Sequence, residues 1–309
     1  MFEDIRKNKM KSHLVVGCFI LVITLIIYYL SIAFDVGASV AITFALAFSI
    51  PTAWASYYFS DKIVIKMTGA KPATMEENKR MIQSLEAIML ASGLTHTPRL
   101  YVINDPQPNA FATGRNPKNA VIGVTTGLLE KLDHYELEAV LAHELAHIKN
   151  YDIRLSAILT VMVGVMVMLS DIYIRTFLWG GGNRGGGNNR SGSGSSGSGK
   201  GQAILMVAGL VLLIIAPILA RIMKMSVSRR REFLADTTAV QFTRNPDGLI
   251  SALQKLDGDP NEMRNANRAT ENMYIVNPFR NNRSNRKKAC LFSTHPSIPD
   301  RVSALQNLS

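Results

Sequence analysis

Cysteine is nearly missing from this chain of 309 residues: there are two, Cys18 and Cys290. Two cannot build a disulfide framework, and their separation has no metal-ligand spacing, so cysteine chemistry is not central. Charge is scarce as well. Asp, Glu, Lys and Arg make up 18% of the sequence, where a soluble domain carries about a quarter. That shortfall places part of the chain in a membrane. What charge there is leans positive, to a formal net +11. Such a balance suits nucleic acid only if the cations face one surface, so their positions decide the matter.

Four apolar runs approach or exceed the roughly 20 residues needed to cross a bilayer. They cover 14–34, 36–59 (with Pro51), 155–178 (with Asp171 and Arg175) and 203–223 (with Pro217). The first is too long for a cleaved signal, and no small-residue cleavage site follows it. Arg6, Lys7, Lys9 and Lys11 precede the first run, no cation separates the first two, and Lys224, Arg229, Arg230 and Arg231 follow the fourth. By the excess of cations on cytoplasmic flanks, both termini and the polar segment after the second run are expected in the cytoplasm. The positive charge is therefore topological, and no nucleic-acid partner is expected. Residues 180–201 are Gly, Ser and Asn with little else, a flexible loop on the far side.

These boundaries divide the chain into a membrane hairpin at 1–60, a cytoplasmic part at 61–152, a second membrane hairpin at 153–225 and a second cytoplasmic part at 226–309. Within the cytoplasmic parts, helices are expected at 76–92 (stopped by Gly93), 134–150, 226–242 and 246–256. PRLYVI (98–103), PNAFATG (108–114) and NAVIGVT (119–125) read as strands of a small sheet. The fold class is thus an α+β membrane protein: four transmembrane helices and a mainly helical cytoplasmic domain, split by the second hairpin. A strand such as PNAFATG, if at an exposed edge, can hydrogen-bond an extended peptide, which makes Asn109, Ala110 and Phe111 candidate substrate-binding residues.

The chemistry concentrates in AVLAHELAHIKNYD, residues 139–152. His143 and His147 are four apart, so on a helix they lie about 40° from each other and one turn along. Two imidazoles so placed can share one tetrahedral zinc, and Glu144 between them can meet a water without ligating the metal. Leu137, Leu141, Leu145 and Ile148 form an apolar stripe with Glu144 at its border, a costly place for a carboxylate unless it is used. Ala139, Ala142 and Ala146 keep the helix slim. A third ligand is needed. Asp171 lies 24 residues beyond His147, about 36 Å along a helix rising about 1.5 Å per residue, with Arg175 beside it as a partner. Glu232, in RRREFLADTTA, follows the second hairpin and returns to the same face as His147. Asp236, one turn on, is either the acceptor for a ligand histidine's outer N–H or the rival ligand.

Taken together, the two leading apolar runs, PNAFATG, HELAHIKNYD, the second hairpin, REFLAD and STHP resemble the HtpX family of membrane zinc metalloproteases, of the gluzincin type and related to the CAAX prenyl proteases. The resemblance covers almost the whole chain. It implies one Zn2+ per chain held by His143, His147 and Glu232, with Glu144 as general base and His295 of STHP steadying the oxyanion. It implies a multi-pass protein of the bacterial inner membrane that cleaves misfolded or damaged membrane proteins on the cytoplasmic side, in quality control and stress response. The expected partners are such unfolded substrates and the lipid bilayer. Tyr151 departs from the basic residue expected there, and the 180–201 loop is long for the family. Two alternatives stand beside this: a protease of prenylated C-termini, which needs a larger lipid-accessible chamber, and a non-catalytic membrane zinc sensor or scaffold, which needs four protein ligands.

Overall fold

In the computed structural model of the chain, residues 2–33, 38–174, 229–264, 266, 269–279 and 296–307 are described. They divide into two compact units. One comprises Met1–Ser12, Ser56–Val161 and Met223–Ser309; the other comprises His13–Ala55 and Met162–Ile222. Helices α1 (Phe2–Ala33), α2 (Ala38–Tyr58) and α7 (Asp152–Ile174) run through both. Among the described residues taken by themselves, no helix is long and apolar enough to cross a membrane. The four expected spans are therefore not established; the last four residues of the third run and all of the fourth lie outside the described residues.

The first unit is α+β. Its sheet has four strands in the order β1-β2-β4-β3: β1 (Lys71–Pro72), β2 (Arg99–Ile103), β3 (Ala110–Thr113) and β4 (Val121–Thr125). β2 and β4 run parallel, with Leu100 opposite Ile122, while β1 and β3 pair antiparallel on either side. The three strands expected from β-branched runs are present, and the two-residue β1 is an addition. β4 is buried at every position, which fits a short apolar run that does not alternate with polar residues. The Phe111 ring lies over Gly123, where a Cβ would meet it at 2.4 Å.

Helices cover the sheet. α3 (Ser60–Thr68) precedes it, and α4 (Met75–Ser92) begins with Thr74 accepting the Glu77 amide and ends at left-handed Gly93, as its sequence demands. α5 (Thr126–Lys131) and α6 (His134–Lys149) follow β4. After the second hairpin come α8 (Arg229–Thr243), α9 (Pro246–Asp257) and α10 (Ile298–Gln306). One apolar core joins Met81, Leu85 and Ile88 of α4, Ile122 and Val124 of β4, Leu137 and Leu141 of α6, and Leu249 and Leu253 of α9.

The link from β4 to α6 has no slack. Gly127 donates its amide to the Asp105 carbonyl, and a Cβ there would come within 2.0 Å of the Pro106 carbonyl oxygen, a backbone atom. Gly127→Ala is expected to destabilise the fold by about 1–3 kcal/mol, the usual cost of overpacking. A thermal melt of the purified chain would show it, and an unchanged melting temperature would contradict this account.

Candidate metal centre

α6 is positioned from its first turn. Asp133 accepts the Glu136 amide at 2.9 Å and Glu136 accepts the Asp133 amide at 2.8 Å, a reciprocal cap. The Glu136 carboxylate also accepts from Ser251 and from Lys255 of α9, so the cap is tied to a neighbouring helix. Along its length α6 is buried almost all round. Ala139, Ala142 and Ala146 leave room for α8, whose own facing residues Ala235 and Ala239 are equally small and buried. Two slim helices at close approach bring Glu232, in the first turn of α8, against the histidines of α6.

The resulting geometry is compact. His143 Nε2 and His147 Nε2 are 3.2 Å apart. Glu232 Oε2 is 3.8 Å from the first and Oε1 is 3.6 Å from the second. Ligands at about 2.0–2.1 Å from a tetrahedral zinc stand roughly 3.3 Å from one another, so these three atoms need to move little to share an ion. They form a group able to hold a metal, with all ligand atoms within 4.8 Å of one another.

The tautomers sharpen the argument. His143 Nδ1 lies 2.9 Å from Asp236 Oδ1, and His147 Nδ1 lies 3.1 Å from Asp152 Oδ2. A carboxylate only accepts, so each Nδ1 carries a proton, and a ring that holds only that proton turns an Nε2 lone pair inward. Two lone pairs and a carboxylate then face one point. Charge leads to the same conclusion. Asp152, Asp236, Glu144 and Glu232 gather here against the guanidiniums of Arg301 and Arg231. Carboxylates outnumber the guanidiniums here, a negative field that favours a divalent cation. The residues fit a metal.

The electrostatics bear this field. Burial holds the His143 imidazole down to about 4, with Arg301 and His147 adding to the effect and Asp236 opposing it. For His147 burial works downward too, but the hydrogen bond to Asp152 and the charges of Glu232, Asp152 and Glu144 outweigh it and push the ring up to about 9. Burial raises Glu144 to about 7; His147, Arg301 and the Ala112 amide bonded to its carboxylate pull the other way. Asp236 is buried as well, yet Arg301 holds it down to about 2.

The sequence-derived candidates fare differently. His143, Glu144, His147 and Glu232 are brought together, and Asp236 sits behind His143 rather than facing the ligand cluster. His295 lies outside the described residues, as does Arg175, the expected partner of Asp171. Asn109, Ala110 and Phe111 require a correction, because they do not form an exposed edge. All three are buried. The Ala110 carbonyl accepts the Ile275 amide at 3.0 Å, Asn109 donates to the Val276 carbonyl at 2.8 Å, and Phe111 bridges to Tyr274 with their rings edge to face. A segment more than 160 residues downstream has closed that edge of β3.

Sequence reasoning missed Asp152 and Arg301. Asp152 was in view, five residues after His147, but five residues is not a helical repeat. Tyr151 adopts a left-handed φ of 60°, which ends α6 and swings Asp152 back toward His147. Arg301 offered no local signal. Its side chain, 1% exposed, donates from Nε and Nη2 to the two oxygens of Asp236 at 2.8 and 2.5 Å. Breaking a buried pair from one side costs about 3–5 kcal/mol, so Arg301→Met is expected to lower the melting temperature sharply. Adding Asp236→Leu is expected to recover much of that stability but not metal affinity, since His143 then lacks its acceptor; thermal melts alongside metal titration test both halves.

Comparison with known proteins adds kinship. The profile of Peptidase family M48 matches residues 75–309. A "Protease HtpX homolog" of Dictyoglomus thermophilum is 39% identical over 306 residues, covering 99% of this chain and 94% of that protein. One from Caldanaerobacter subterraneus is 38% identical over 310 residues, covering 100% and 98%. One from Listeria monocytogenes serovar 1/2a is 40% identical over 316 residues, covering 100% of both. Among solved structures, the crystal structure of S. mikatae Ste24p aligns with a TM-score of 0.48 at 17% identity, over 99% of this chain and 67% of that one. With its HELAH helix inside the matched region and relatives alike from end to end, this chain belongs to peptidase family M48 and is a metalloprotease.

Proposed function

We propose that the chain is a membrane-embedded zinc endopeptidase that cuts extended segments of misfolded or damaged membrane proteins on the cytoplasmic side of a bacterial membrane. The observation that carries this reading is the convergence of His143 Nε2, His147 Nε2 and the Glu232 carboxylate on one point. His143, His147 and Glu232 would hold the ion, with Glu144 beside it. Three protein ligands leave a position for water, as catalytic zinc sites do, whereas structural sites close all four.

When bound, zinc supplies the Lewis acidity that acidifies water and polarises a peptide carbonyl. The chain's own residues do the rest. Asp236 and Asp152 keep the two histidines in the liganding tautomer. Glu144, buried beside His147 and Glu232, takes the proton of the attacking water and passes it to the departing amide nitrogen. His295 is the proposed donor to the oxyanion. The membrane placement rests on sequence: residues 14–33 of α1 and 38–58 of α2 contain no charged side chain, and the cations flank these runs on one side only.

Two outcomes follow. Glu144→Gln is expected to retain zinc while cleavage of casein by the detergent-purified chain falls about 10²–10⁴-fold, the range ascribed to a general base. If wild type and variant both hold zinc and neither cleaves, even with an unfolded membrane protein as substrate, the ion is structural and the proposal fails. Chelation is expected to abolish cleavage and added zinc to restore it, with one ion bound per chain. His147→Ala is expected to bind no ion at micromolar zinc, and metal analysis after desalting decides that.

A further inference from the structure

The family match begins at residue 75, yet one of the hydrogen bonds closest behind the ligand cluster comes from α1. Asn8, 4% exposed, uses both hydrogens of its side-chain amide. One goes to the Asn150 carbonyl at 3.0 Å, the other to Asp152 Oδ1 at 2.7 Å. The residue thus spans the turn between α6 and α7. Its neighbour Lys9 places Nζ over the Tyr151 ring at 4.4 Å, on the same turn. Asp152 is the carboxylate that orients His147 through Oδ2. Arg231 Nη1 also approaches Oδ1, at a long 3.4 Å.

We infer that Asn8 is a positioning residue of the metal centre: from α1 it fixes the Asp152 carboxylate, which in turn aims His147 Nε2 at the ion. The inference rests on the metal-centre reading above. A carboxylate with one short hydrogen bond on each oxygen cannot rotate without breaking one of them. Remove the Asn8 amide and Oδ1 keeps only the long contact to Arg231. The carboxylate then turns toward that guanidinium, and Oδ2 leaves His147. Residues behind a metal ligand are worth about 10–100-fold in affinity, and Asn8, one step further out, is expected near the lower end.

The test uses the full chain in detergent, with zinc affinity from chelator competition and the visible absorption of the cobalt(II)-substituted protein. Asn8→Ala is expected to weaken zinc binding about tenfold and to alter the cobalt spectrum. Asn8→Asp, which preserves shape but removes the donor, is expected to lose at least as much. Asp152→Ala is expected to lose more, and the Asn8→Ala/Asp152→Ala double variant no more than Asp152→Ala alone, because both act through one carboxylate. Lys11→Ala, exposed on the same helix, serves as the control with unchanged binding. Wild-type affinity and spectrum in both Asn8 variants would overturn the inference, as would a double variant whose loss is the product of the two single losses. If the unaltered chain binds no zinc, the metal-centre reading falls and takes this one with it.

Discussion

A histidine offers its Nε2 lone pair to a cation only while its proton stays on Nδ1, and in a buried site something must hold that proton there. Here two carboxylates do so, Asp236 behind His143 and Asp152 behind His147. Much of the surrounding architecture follows from that requirement. A buried carboxylate is itself costly unless paired, so Asp236 draws in Arg301 from α10, and Asp152 draws in Asn8 from α1 and Arg231 from α8. Elements far apart in sequence meet at this point because each supplies the partner that another's burial demands. The small residues of α6 and α8 then permit the approach. The apolar core gives the unit its stability, and this polar chain of obligations selects which packing is adopted.

How much of this was visible in advance depends on the range of the interaction. Signals within a few residues were legible. Gly93 ended α4, the β-branched runs became β2, β3 and β4, and the i, i+4 histidines faced one point. Glu232 was reachable because the hairpin argument placed the end of the fourth apolar run near the start of the third. The interactions that were not legible join residues 65 to 167 apart. Asp236 was in view, but not that a charge from the C-terminal helix would neutralise it. PNAFATG has the composition of an edge strand, but composition does not say whether a later segment will occupy that edge. Tyr274–Val276 does so, using main-chain bonds that carry no sequence signature.

Asp152 is a subtler case, since the residue lay inside the stretch that drew attention first. A helical wheel places position i+5 well away from His147, and that wheel assumes the helix continues. It stops at Asn150, and the left-handed residue that follows is tyrosine rather than glycine. Such a φ is unusual for an aromatic residue and persists where its surroundings hold it. The Tyr151 ring is flanked by Lys9 at 4.4 Å and Arg154 at 5.4 Å. Cations from α1 and α7 thus meet the ring of the residue that makes the turn.

The negative field that results has a thermodynamic consequence. It raises His147 to about 9 and so favours a proton on that ring, and it favours a divalent cation for the same reason. The two compete for one lone pair, so metal binding releases a proton and weakens as pH falls. A ligand that binds only the folded form also stabilises it, by an amount that grows with its concentration over its dissociation constant. Metal affinity, folding and protonation in this unit are therefore linked through the same few side chains. A substitution at Asp152, Asp236 or Arg301 cannot alter one of the three without altering the others.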